Sequence, residues 1–340
     1  MIRSTLIFLF FILTTAVSPM SAAAAPIRLT DMAGRSLELT APAQRLVSTF
    51  KPATLCLVSL GLAKTLVGVD NPSRRDKLQT RVYPPISQIP GVGQKAAGVN
   101  FETIVSLKPD LVLLYAQMDG PIMAKRLKRL GIESMIILPE TFDTIKQSLD
   151  LMARACGVGF RAKKVKTAMD GILDTITQTL PRDIHHQRAY FASTLGIFNT
   201  TTGNLIQDEI MTRAGLENVS ASLKGYFQDI SPEQLIRWNP DIIIASQHLP
   251  QSQVKFLSNR ALAQISAIQT HQIFRCPSNL APWDFPSPLS VLASLWMAQR
   301  AYPSHFKDLD MVKISDDFHH TLFGKTLTQL DGNLKDRLLP

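Results

Sequence analysis

Two segments far apart in the chain are built alike, and this constrains the fold more than any other feature. Phe101–Leu114 (FETIVSLKPDLVLL) and Pro232–Ala245 (PEQLIRWNPDIIIA) place Glu102 and Glu233, Pro109 and Pro240, and Asp110 and Asp241 at matching positions, with apolar residues matching nearly throughout. Each reads as a helix whose first turn carries an acid, which complements the helix dipole. Pro-Asp then ends the helix, because a residue before proline is pushed away from helical backbone. The unbroken apolar run that follows suits a strand buried on both faces of a parallel sheet. A single unit of this kind is common, but two copies, one in each half, predict two similarly built lobes.

The surrounding sequence keeps the same rhythm. Ile27–Asp31 and Ser36–Leu39 alternate apolar and polar residues around a turn at Met32–Arg35, the pattern of a β-hairpin. Strands are expected at Arg45–Phe50, Leu66–Val69, Asp110–Leu114 and Met135–Leu138, with helices at Pro52–Leu60, Phe101–Leu107 and Ile122–Leu130 between them. Around Phe160 the alternation stops. Val165, Ala168, Met169, Ile172, Ile176 and Leu180 recur at helical spacing up to Pro181. A helix of that length measures roughly 30 Å and can bridge two lobes or pack on the first. Beyond it the rhythm resumes with strands at Ala189–Thr194 and Asp241–Ala245 and helices at Leu205–Ala214, Glu233–Trp238 and Val291–Arg300. The expected fold is therefore α/β, with two similar lobes, mainly parallel sheets, one long joining helix and a ligand cleft between the lobes. The corresponding partition is 1–24 as a signal peptide, 25–158 as the N-terminal lobe, 159–182 as the interdomain helix and 183–340 as the C-terminal lobe.

At 340 residues the chain fits two domains better than one core, and 45% hydrophobic with 19% charged residues marks it as globular. Met1-Ile2-Arg3, the apolar run Leu6–Val17 and Ala22-Ala23-Ala24 have the layout of a secretory signal peptide too short to span a membrane. No cysteine follows it, so the expectation is a soluble periplasmic protein without a lipid anchor. The formal net charge of +9 favours an anionic ligand or surface, while the lack of a basic run interleaved with aromatics argues against nucleic acid. Cys56 and Cys156 lie among apolar residues and read as core thiols, with a disulfide between them as the alternative. The seven histidines are scattered, with no pair spaced to hold a metal on one helical face. Glycine loops for phosphates and the usual nucleophile and zinc-protease motifs are missing, so an exported enzyme is the weaker reading.

Several stretches together resemble a known family, the periplasmic binding proteins of iron-siderophore, haem and cobalamin ABC importers. They are TDMAGRSLEL, RLVST, LGLAKTLVGVD, GVGQKAAGVNFETIVSLKPDLVLL, SPEQLIRWNPDIIIAS and PWDFPSPLSVLASLWMAQRAYP. The resemblance spans essentially all of the chain after the leader. It implies two α/β lobes on one rigid helix with little hinge closure, no catalytic residues and no resident cofactor. It further implies a monomer that works with an ABC permease dimer and its ATPase subunits, and a small-molecule metal chelate as ligand. A ferric siderophore is the first expectation, with a corrinoid or haem as alternatives. It also implies that Glu102 and Glu233 dock on the permease; their other reading is helix-dipole complementarity alone.

In sheets of this kind ligands sit beyond the carboxyl ends of the strands. Four loops are then candidates. Lys51 and Thr54 follow the first strand, where a helix start and a lysine can meet an anionic chelator. Tyr115 and Gln117 follow the first repeat; a phenol there can stack on the chelator, hydrogen-bond it, ligate iron, or simply pack. Asn199 and Thr200 lie in a loop of small polar groups, with Tyr226 closing the same side. His248 follows the second repeat. Trp283 and Asp284 sit between prolines, where an indole face can wall the pocket or pack on its own lobe.

Overall fold

The computed structural model describes residues 25–94, 98–116 and 119–338. The leader expected at 1–24 and the candidate Gln117 lie outside the described residues.

The first sheet contains four parallel strands in the order Leu66–Val69, Leu46–Ser48, Leu111–Tyr115 and Glu133–Ile137. Successive side chains alternate between its faces. Leu46, Leu111, Leu113, Met135 and Ile137 enter one core, and Val47, Val112, Leu114 and Ile136 enter another. Hence the runs Leu111–Leu114 and Met135–Ile137 are apolar without interruption.

The second sheet runs Phe227–Asp229, Asn199–Thr201, Arg188–Ala192, Ile242–Ala245, Ile273–Arg275, with Glu217–Asn218 also beside Arg188–Ala192. It is mixed. Ile242–Ala245 is parallel to both of its neighbours, whereas Asn199–Thr201 is antiparallel to both of its own. The reason is local: the few residues between Ala192 and Asn199 permit a hairpin return, not the crossover a parallel partner needs. The stretch expected as an open polar loop is therefore partly strand. Ala189, Phe191, Ile242 and Ile244 join the same continuous core as the inner face of the first sheet.

The two repeats fold as helix then strand: Phe101–Ser106 before Leu111–Tyr115, and Pro232–Trp238 before Ile242–Ala245. The Asn100 side chain accepts the N–H of Thr103 at 2.9 Å, and the Ser231 hydroxyl accepts that of Gln234 at 3.2 Å, so both helices carry an N-cap. Lys108 (φ 47°) and Asn239 (φ 42°) occupy the same place in the repeat, and each turns the chain through left-handed backbone before the proline.

A 21-residue helix, Gly159–Thr179, lies in the chain between the helix Phe142–Cys156 and the first strand of the second sheet. It starts after left-handed Gly157 (φ 73°), where a residue with a Cβ would be strained. Ala162, Val165, Met169, Ile172 and Ile176 form its buried stripe. It packs against Phe142–Cys156 and against the C-terminal helices Ser290–Ala301 and Met311–Phe323. Arg161 donates to the carbonyl of Ser59 at 3.0 Å and to that of Leu322, and Arg81 donates to the carbonyl of Leu330. The segment 311–331 thus lies across elements of the first half before the chain returns to the second sheet, where Arg275 N–H meets the Asp336 carbonyl at 2.7 Å.

Cys56, Cys156 and Cys276 are free and buried, and burial pushes the Cys56 and Cys156 thiols up to about 12. No helix among the described residues is long and apolar enough to cross a membrane.

Candidate ligand cleft

The carboxyl ends of the parallel strands from the two sheets converge on one cavity of about 750 Å³. The first half contributes Phe50, Lys51, Pro52, Asp70, Pro72, Tyr115, Pro139 and Glu140. The second contributes Phe191, Thr194, Leu205, Ile206, Gln207, Tyr226, Phe227, Ser246, Asp284, Phe285 and Pro286. Six aromatic rings and four prolines make the wall predominantly apolar, with a few polar groups set into it.

On the first wall the polar groups hold one another. Lys51 Nζ lies 2.8 Å from Asp76 Oδ2, and its ammonium sits 5.8 Å from the centre of the Phe285 ring. Asp76 is itself the N-cap of the helix Lys77–Val82, accepting the N–H of Gln79 at 3.0 Å. Asp70 accepts hydrogen bonds from the Thr54 hydroxyl (2.8 Å), the Ser73 hydroxyl (2.7 Å) and the Ser73 N–H (2.9 Å). Burial raises its pKa, and these bonds and Lys51 oppose that rise. Tyr115 packs its ring 4.9 Å from that of Phe50 and donates its hydroxyl to Glu140. Gly120 supports this tyrosine from behind: a Cβ there would fall 1.9 Å from the Tyr115 carbonyl oxygen.

On the second wall Asp284 is the central charged group. The Ser246 hydroxyl donates to its Oδ2 at 2.5 Å, and the Gln207 amide donates to its backbone carbonyl at 2.7 Å. Burial pushes its pKa up to about 6, against the hydrogen bonds from Ser246 and the backbone and the more distant Lys51 charge. His248 lies to one side, its ring 6.0 Å from that of Phe285. Burial and the Lys51 charge lower its pKa.

Of the residues singled out in the sequence, Lys51, Tyr115, Tyr226 and Asp284 meet in the cavity. Five others require correction. Trp283 is fully buried in the continuous core and does not line the cavity. The chain turns at residues 283–284, and the ring of this loop that lines the cavity is Phe285. Thr54 stands behind Asp70 on the buried side of its helix. Asn199 and Thr200 are strand residues: the Asn199 amide donates to Asp229 at 2.7 Å, and Thr200 bonds to the Phe191 carbonyl at 2.8 Å. His248 is a rim neighbour and lines no part of the cavity. Lys51 is in place, but its charge is taken up by Asp76, so it gives the cavity little pull on anions.

Glu102 and Glu233 are exposed in the first turns of their helices. The backbone N–H and the Ser231 hydroxyl lower the Glu233 pKa. Asp70, Glu140, Gln207 and Phe285 were not among the residues singled out. Asp70 follows the strand Leu66–Val69, so the strand-end rule that located Tyr115 locates it too.

Comparison with known proteins agrees with this fold. The model of the periplasmic binding protein family matches residues 46–280. The chain is 25% identical over 323 residues to the molybdate-binding protein MolA of Haemophilus influenzae, covering 87% of this chain and 90% of that one. The solved structure of MolA bound to molybdate superposes with a TM-score of 0.77 at 22% identity, covering 88% and 98% of the two chains. A vitamin B12-binding protein of Yersinia pestis is 27% identical over 234 residues, covering 67% and 78%. The Helicobacter pylori CeuE structure with nickel and histidine superposes with a TM-score of 0.77 at 22% identity, covering 90% and 98%. On the family match and the shared fold, the chain belongs to the periplasmic binding proteins, the class III solute-binding components that serve ABC importers with their permease and ATPase parts.

Proposed function

We propose that this protein captures a bulky metal chelate of low or positive net charge, a ferric siderophore of the neutral hydroxamate kind first, and delivers it to its permease. The observation that carries this reading is the composition of the cleft. A cavity of about 750 Å³ lined by rings and prolines has the size of sites for organic ligands, roughly 300–1,000 Å³. Among the described lining residues Lys51 is the one cation, and it is already paired with Asp76, while Asp70, Glu140 and Asp284 are acids. A small dianion such as the molybdate of the MolA relative would lose its hydration here without gaining donors to replace it. A highly anionic catecholate complex would meet the same acids. The net positive charge of the whole chain therefore does not carry over to the cleft.

A corrinoid is the second reading, favoured by the facing rings of Phe50 and Tyr115 on one wall and Phe191, Tyr226, Phe227 and Phe285 on the other. Haem has less support, since His248 lies outside the cavity and Tyr115 bonds to Glu140.

Calorimetric titration with a ferric hydroxamate, a ferric tricatecholate, cyanocobalamin and molybdate tests these readings side by side. Tightest binding of the hydroxamate supports the first, and of cyanocobalamin the second. Tightest binding of molybdate or of the catecholate overturns both. Glu102 and Glu233, exposed at equivalent places in the two halves, are the proposed permease contacts. Replacing both with Ala should leave ligand affinity intact and lower uptake in cells; unchanged uptake removes that assignment.

A further inference from the structure

The second wall of the cavity holds two buried acceptors that no described residue satisfies with a hydrogen bond. Asp284 Oδ1 and Gln207 Oε1 are both shielded from solvent and without a hydrogen-bond partner among the described residues. Both side chains line the cavity, and their orientations are fixed from behind. The Ser246 hydroxyl occupies Asp284 Oδ2, and the Gln207 amide nitrogen is committed to the Asp284 carbonyl, which leaves the free oxygen of each. Polar groups at such depth are nearly always paired, so an unpaired set in a ligand cleft marks a place that the ligand completes.

The charged and titratable groups around Asp284 do not fill this role. Lys51 lies across the cleft and pairs with Asp76. Arg275 gives one guanidinium nitrogen to the carbonyls of Gln247 (3.0 Å) and Leu249 (2.8 Å). The Cys276 thiol, kept protonated by burial first and by the Asp284 carboxylate second, is only a weak donor to that carboxylate. His248 faces Phe285.

We propose that Asp284 and Gln207 form a subsite that accepts hydrogen bonds from a donor group on the ligand's organic frame, best of all an ammonium. This rests on the chelate reading above and narrows it to chelates that carry an amine, amide or hydroxyl on the face turned to the second wall. Because burial raises the Asp284 pKa to about 6, the carboxylate loses its charge just below neutrality, and the preference for a cationic donor should disappear with it.

The test compares two probes, the ferric complex of desferrioxamine B, which has a free ammonium tail, and that of its N-acetyl derivative, which keeps the same iron core without the charge. At pH 7.5 the wild-type protein should bind the first about tenfold more tightly, the scale of one hydrogen bond to a charged group. The preference should vanish at pH 5, and in Asp284→Asn at either pH; Gln207→Leu, checked by its melting curve, should weaken both complexes. Binding of both probes without discrimination overturns this inference and leaves the chelate reading standing. Binding of neither overturns the chelate reading and this inference with it. A pH-dependent preference that survives in Asp284→Asn assigns the effect to His248 and overturns the role given to Asp284.

Discussion

Asp110 accepts the backbone N–H groups of Gln44 and Arg45, each at 2.9 Å, and returns its own N–H to the Arg45 carbonyl. Asp241, its counterpart in the second half, accepts the N–H of Arg188 at 2.8 Å and returns its N–H to the Arg188 carbonyl. In both halves the aspartate of the repeat clips the start of one strand to the start of its neighbour. The helix before it is stopped by the left-handed residue that precedes the proline. The Pro-Asp pair therefore does more than end a helix, since its carboxylate fixes the register between adjacent strands. At the opposite ends of the same strands the likeness is lost. The first wall closes its polar groups into pairs, Lys51 with Asp76, Thr54 and Ser73 with Asp70, Tyr115 with Glu140. The second leaves the oxygens of Asp284 and Gln207 open. The frame is duplicated and the walls are not, which lets one scaffold carry an asymmetric ligand.

Trp283 gives the sharpest test of where frame ends and wall begins. Its indole is fully buried, so Trp283→Ala should lower stability by about 3–5 kcal/mol in urea unfolding. A wall residue would instead cost affinity with little loss of stability.

Two buried groups should oppose each other as pH changes. Asp284, whose pKa rises from 3.8 to about 6 on folding, favours the native state most below 3.8, and that contribution is lost as pH rises through 6. His319, on the buried side of the helix Met311–Phe323 in the segment that crosses the first half, is held down to about 4 from 6.5 by burial. Its contribution is complete above 6.5 and is lost as pH falls through 4. Each swing amounts to about 3 kcal/mol. Denaturant unfolding from pH 4 to 7 should therefore show Asp284→Asn gaining on the wild type as pH rises. His319→Gln should show the reverse, its deficit shrinking as pH falls.

The aspartate clips should differ in proportion to the donors they hold. Asp241→Ala should cost about 1 kcal/mol and Asp110→Ala up to about twice that, since one accepts a single N–H and the other two. Equal losses would mean that the repeat is symmetric in energy as well as in form. Smallest in stability is the pair Glu102→Ala and Glu233→Ala, for which thermal melting should be unchanged while uptake falls.

Much of this architecture was legible in the sequence because it depends on local chemistry. The repeat and the strands with apolar residues on both faces follow from neighbours in the chain. So does the stripe Val165, Met169, Ile172, Ile176. The strand-end rule also pointed to Lys51 and Tyr115, and the setting between prolines to Asp284, and all three line the cavity. It failed for Asn199 and Thr200 because whether a polar segment stays a loop depends on an edge available for pairing. That edge is supplied by Arg188–Ala192, and Phe227–Asp229 completes the sheet from further along the chain.

By itself, then, the sequence determined two helix–strand units with matching ends, the length of the helix between them and the positions where a cleft would open. Only the tertiary structure decided that Trp283 turns into the core while Phe285 lines the cavity, that Lys51 is spoken for by Asp76, and that Asp284 and Gln207 keep an oxygen free. Those outcomes rest on which side chains from distant segments reach within hydrogen-bond distance. Pattern and propensity act along the chain, whereas burial and pairing are set by what the folded chain brings across it.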